Sequence, residues 1–197
     1  DLVYSASVDG NATVDVTGNL LSISPSLDYN GIIIVDVSVS DDEYTVSDSF
    51  ELEVLPVNDA PVLEDIIDQS IDEDVEFVYT IIASDVDDTE LVYTASVDGN
   101  ATVDVIGDLL SITPFSNYNG QIAVEVSVSD GEYTISDSFI LNVNSINNAP
   151  ILEDILDQSV LEDDDFVYTI LASDVDDAEL IYSAFVDGNA TVDVTGN

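Results

Sequence analysis

Ile122-Ala123-Val124-Glu125-Val126-Ser127-Val128-Ser129-Asp130-Gly131 is the stretch that decides the fold. Ile122, Val124, Val126 and Val128 recur every second residue, with polar Glu125, Ser127 and Ser129 between them. That period of two gathers the aliphatics on one face of a strand and the polar groups on the other. The run ends at Asp130-Gly131, residue types that tolerate the positive φ of a turn.

The same alternation extends on both sides. Downstream lie Phe139, Leu141 and Val143; upstream lie Leu110 and Ile112, then Ala101, Val103 and Val105, then Leu91, Tyr93, Ala95 and Val97. Phe77, Tyr79, Ile81 and Ala83 form another run, and a first strand is expected near Val62 to Ile67. About seven strands in one stretch of this length, with no helical period of comparable length, predict an all-β, immunoglobulin-like or cadherin-like sandwich. Asp98-Gly99-Asn100 reads as a tight hairpin, Asn119-Gly120 marks a strand start, and Pro61 and Pro114 fall where no ladder donor is needed.

The pattern repeats. Val57-Asn58-Asp59-Ala60-Pro61 returns as Ile146-Asn147-Asn148-Ala149-Pro150, a spacing of 150 − 61 = 89 residues. Leu2-Val3-Tyr4, Leu91-Val92-Tyr93 and Leu180-Ile181-Tyr182 keep the same register, and Val-Asp-Gly-Asn-Ala-Thr-Val-Asp-Val is identical at 8–16, 97–105 and 186–194. A fixed period without insertion is a tandem array. Residues 58–146 are one complete repeat, 1–57 the back of a preceding one and 147–197 the front of the next. Residues 147–178 are the counterpart of 58–89, so two chains could complete each other head to tail. Because 179–197 would then duplicate 1–19, a window on a longer array is the favoured expectation.

Composition bounds the partners. The chain has 197 residues, no Lys, Arg, His, Cys, Met or Trp, and 43 Asp plus Glu, for a net charge of −43. Without a basic side chain it cannot neutralise phosphates or anionic headgroups, so neither nucleic acid nor an ordinary membrane surface is an expected partner. Cations are. Disulfides, thiol catalysis, zinc–thiolate sites and lysine isopeptide staples are excluded. The longest aliphatic run, Ile32–Val35, is far too short to span a bilayer, and no signal peptide is visible.

The acidic groups are clustered in order. Asn58-Asp59-Ala60-Pro61 precedes Asp72-Glu73-Asp74, then Ala83-Ser84-Asp85-Val86-Asp87-Asp88, then Val128-Ser129-Asp130-Gly131 before a final strand. This order at an 89-residue period resembles the cadherin-like tandem repeats of microbial extracellular surface proteins. The resemblance covers the whole chain and implies calcium at the joints between modules. It assigns Asn58, Asp59, Asp85, Asp87 and Asp130 to the first joint, with Asp28 from the preceding module. For the second it assigns Glu73, Asn117, Asn147, Asn148, Asp174 and Asp176. The physical requirement is clear: Ca²⁺ takes six to eight oxygens at about 2.3–2.6 Å, more than one short loop here supplies. The family's Leu-Asp-Arg-Glu appears as Leu27-Asp28-Tyr29-Asn30 and Ser116-Asn117-Tyr118-Asn119, which loses a glutamate in both, so fewer than three ions per joint are expected.

Most of the charge is a solvated surface, since 19 acids in residues 58–146 far exceed the about +4 to +6 that two or three calcium ions bring. Asp85-Val86-Asp87-Asp88-Thr89-Glu90 lacks the sixth-position glycine of an EF-hand loop. Asn11-Ala12-Thr13, Asn100-Ala101-Thr102 and Asn189-Ala190-Thr191 match the N-glycosylation pattern, although Asn also suits a turn after Asp-Gly. Carboxylate pairs abound but no insertion builds a cleft, so an enzyme is not expected. The expected role is a structural segment of an extracellular fibre or adhesin stalk at the cell surface, stiffened by Ca²⁺, with neighbouring repeats as its partners. The alternatives are a filament subunit that self-associates through intermolecular strand pairing, and a module that binds cell-surface glycans or proteins.

Overall fold

The computed structural model describes residues 1–188 and 190–195, and every regular element among them is a β-strand. The fold is an immunoglobulin/cadherin-like β-sandwich. The described chain gathers into two compact units: residues 1–64, 82–93 and 127–136, and residues 65–81, 94–126 and from 137 on.

In the first unit, β1 (Val3–Val8), β4 (Gly31–Ser40) and β5 (Thr45–Val54) form an antiparallel sheet in the order β1-β4-β5. Its register pairs Val8 with Val35, Phe50 with Val35 and Leu52 with Ile33, so the alternating aliphatics share one face; Ile33 and Val35 are fully buried. β2 (Ala12–Thr17) and β3 (Leu20–Pro25) form a separate hairpin around Gly18-Asn19. Two short strands, β6 (Val62–Leu63) and β9 (Ala83–Ser84), pair antiparallel beside the joint.

The complete repeat adds β7 (Gln69–Asp72), β8 (Phe77–Thr80), β10 (Val92–Val97), β11 (Ala101–Ile106), β12 (Leu109–Pro114), β13 (Gly120–Ser129) and β14 (Thr134–Asn144). They make a four-stranded sheet, β10-β13-β14-β7, and a three-stranded sheet, β11-β12-β8. The aliphatics that alternate in sequence are those buried: Leu110, Ile112, Ile122, Val124, Val126, Val128 and Leu141, with Phe77 packed at 6.0 Å, tilted, against Phe139. Each such side chain contributes about 1.5–3 kcal/mol relative to exposure.

Three expectations change. The first strand is not continuous from Val62 to Ile67 but stops at Leu63; the chain then crosses to pair in parallel with β14 as β7. The crossing backbone is held by side chains, since Ile66 N–H donates to Asp137 Oδ2 at 2.6 Å and Ile140 N–H to Asp68 Oδ1 at 2.8 Å. The second expected strand likewise breaks, because β8 pairs with β12 while β9 turns to β6. Asp98-Gly99-Asn100 is not a hairpin: it carries the chain from β10 in one sheet to β11 in the other. Asp98 anchors that turn, exchanging hydrogen bonds with the backbone of Ala123 at 3.1 Å.

Beyond the second joint, β15 (Ile151–Leu152) pairs with β16 (Ala172–Ser173), repeating the β6–β9 pair. Alternation continues through Phe166, Tyr168 and Ile170, yet no other strand forms among the described residues there.

Candidate metal centre

The Asp-x-Asp segment after β9 builds the first site. Asp85 Oδ1 accepts the backbone N–H groups of Asp87 and Asp88 at 2.8 and 2.9 Å, which fixes the turn. Its Oδ2 is buried and has no hydrogen-bond partner. Asp87 Oδ2 accepts the Asp59 N–H at 2.8 Å, tying the linker down. Asn58 Nδ2 donates to Asp130 Oδ2 at 2.8 Å, and Asp130 Oδ1 accepts Glu132 and Tyr133 N–H at 2.7 and 2.6 Å. Partial desolvation pushes the Asp130 carboxyl up, but those donors together outweigh it and hold it below the usual carboxylate value.

Beside these groups lies a cleft of about 230 Å³ lined by Asp28, Tyr29, Asn30, Val54, Leu55, Val57, Asp59 and Asp87. Asp28, Asp59 and Asp87 therefore face one space, whereas both oxygens of Asp130 are engaged in hydrogen bonds. Tyr29 joins the site through the fold, and its one sign in the sequence is the recurrence of Tyr-Asn-Gly at 29–31 and 118–120. Its hydroxyl donates to Ile32 O at 2.8 Å, which sets the ring as one wall.

The second set follows the same plan. Asp174 Oδ1 accepts Asp176 and Asp177 N–H at 2.8 and 3.0 Å, and Asp176 Oδ2 accepts Asn148 N–H at 2.5 Å. Asn147 Nδ2 turns to the adjacent Asn148 carbonyl, and Asn117 N–H is bound to Asp74 Oδ1. Glu73 is only 4% exposed; its Oε1 accepts Ile146 N–H at 2.5 Å while Oε2 has no partner. A buried carboxylate oxygen without a partner is costly, and this chain has no basic side chain to meet it.

The donor set is all oxygen, which fits a hard cation such as Ca²⁺. The fit is one of chemistry and of unpartnered oxygens, because no three acidic side chains among the described residues are grouped closely enough to hold an ion. The glycosylation candidates Asn11 and Asn100 are exposed on the sheet-crossing turns, Asn100 at φ 62°; Asn189 lies outside the described residues.

Residues 58–143 match the protein family described as Bacterial Ig domain. The match stops three residues short of the repeat boundary and starts at Asn58 itself. No curated protein matches the chain. Among solved structures, human protocadherin-24 EC1-2 is similar at 20% identity and a TM-score of 0.49, over 74% of this chain and 82% of that one. Domains 4 and 5 of the S-layer protein SbsC align at 16% identity and a TM-score of 0.38, over 72% and 70%. An endo-fucoidan hydrolase of glycoside hydrolase family 107 aligns at 19% identity and a TM-score of 0.36, over 74% of this chain; the chain spans only 24% of that enzyme's length. Among the described residues no helix is long and apolar enough to cross a membrane.

Proposed function

We propose that this chain is a segment of an extracellular stalk or adhesin, built of immunoglobulin-like repeats whose joints bind Ca²⁺. One observation carries the reading: Asp85 Oδ2 and Glu73 Oε2 are buried carboxylate oxygens without partners, each in the set assigned to a joint. At the first joint Asp28, Asp59, Asp85 and Asp87 would hold the ion, and at the second Glu73, Asp174 and Asp176, with Asn147 and Asn148. Calcium supplies the positive charge that the chain lacks. The residues themselves do the positioning: each Asp-x-Asp uses one oxygen to fix its own loop or the linker and keeps the other for a ligand. The function is mechanical, since carboxylates that repel without metal become shared ligands with it.

The test is thermal melting of the full chain in EDTA, in Ca²⁺ and in Mg²⁺ at matched ionic strength. Binding at a hundred times Kd stabilises the folded state by about 2.7 kcal/mol, so Ca²⁺ should raise the midpoint where Mg²⁺ does not. Asp85→Asn with Glu73→Gln should remove most of that difference. Identical melts in all three conditions would sink the reading.

A further inference from the structure

We infer that Glu73 and Asp176 are a pair of backbone anchors that confine bending at the second joint to two residues, Ile146 and Asn147. Strand β14 ends at Asn144, whose carbonyl accepts the Glu73 N–H at 2.9 Å. The Glu73 side chain then turns back, and its Oε1 accepts the Ile146 N–H. Two residues later the Asn148 N–H is held by Asp176 Oδ2. Between those two fixed nitrogens, planar peptides leave only φ and ψ of Ile146 and of Asn147 as soft torsions. Asn147 has no such tether, and its side-chain amide bonds only to the next carbonyl. The joint is thus a pivot of four torsions with a carboxylate clamp on either side.

Glu73 and Asp176 act here as positioning residues, one oxygen of each being spent on the backbone. The inference extends the reading of Asn147-Asn148 as a joint, but it is independent of metal. Its test is therefore run in EDTA, where the calcium clamp has no bearing on the outcome.

Amide hydrogen exchange on the full chain should find the Ile146 and Asn148 N–H groups protected and Asn147 exchanging near its intrinsic rate. Glu73→Ala should speed exchange at Ile146 about tenfold or more, and Glu73→Gln, which keeps an acceptor oxygen, should restore protection. Asp176→Ala should do the same at Asn148. Because Glu73 is buried and its alanine variant risks unfolding, a second measurement uses the absence of cysteine. Spin labels at Asp104→Cys and Glu179→Cys report the spread of separations across the joint, which Asp176→Ala, at an exposed residue, should widen by releasing the Asn148 N–H. Equal protection at all three amides, or an Asp176→Ala distribution no wider than that of the unaltered joint, would overturn the inference.

Discussion

Gly120 and Gly131 look alike in sequence, each following Asn or Asp at a strand end, yet only one is constrained by its neighbours. Gly120 sits at φ 140°, and a Cβ there would lie 2.9 Å from the Tyr118 hydroxyl, which itself donates to Gln121 O. Gly131 sits at φ 101° with nothing within 4 Å, and the matching residue of the preceding repeat is Asp42 at φ 78°. Gly120→Ala should therefore cost about 1–3 kcal/mol, while Gly131→Asp should stay within about 1 kcal/mol; denaturant unfolding of the two variants checks both. Asp130 gives a pH prediction. Its carboxyl is held below the unfolded value of about 3.9, so its stabilising contribution is complete above that pH and is lost as pH falls through the lower folded value. Asp130→Asn should lose less stability than the parent between pH 5 and pH 2, read as the difference between their melts.

At the level of elements, the break between β6 and β7 is what the alternation concealed. Val62 to Ile67 alternates well enough for one strand, but alternation reports which face is apolar and not which neighbour supplies the hydrogen bonds. Asp137 and Asp68 take over where the ladder stops. Asp137→Ala should leave the Ile66 N–H unpaired and destabilise by about 1–3 kcal/mol, and Asp137→Asn, which retains an acceptor, should recover most of it; chemical denaturation is the measurement. The Asp98-Gly99-Asn100 turn teaches the same lesson, because its residues require positive φ equally in a hairpin and in a crossing between sheets. Strand existence was legible in residues such as Val124 and Val126; strand partnership was not.

For the whole molecule, a charge of −43 with no basic side chain makes self-repulsion a term in folding. Raising NaCl from about 0.05 to 0.5 M shortens the screening length to well below 10 Å. The melting midpoint should therefore rise with salt alone, by about 4–8 °C for each kcal/mol gained. A flat salt response would show that the acids are spread widely enough not to matter, and calcium effects must exceed this baseline. Matching residues differ in burial: Phe139 is 3% exposed against Phe77, whereas Phe50, its counterpart in residues 1–57, is 43% exposed.

By itself the sequence determined the strand class, the 89-residue period and the acids that recur with it around Asn58-Asp59-Ala60-Pro61 and its second copy. These depend on local order along the chain: side-chain alternation, turn residues and repetition. The tertiary structure alone decided which oxygens remain free. In Asp85, Asp87, Glu73 and Asp176 one oxygen is taken by a backbone N–H, while in Asp130 both are taken. Asp85 bonds within its own turn, but the rest of that division depends on where distant donors, the Asn58 side-chain amide and the Asp59, Ile146 and Asn148 N–H groups, fall once the sheets have packed, and no spacing in the sequence records it.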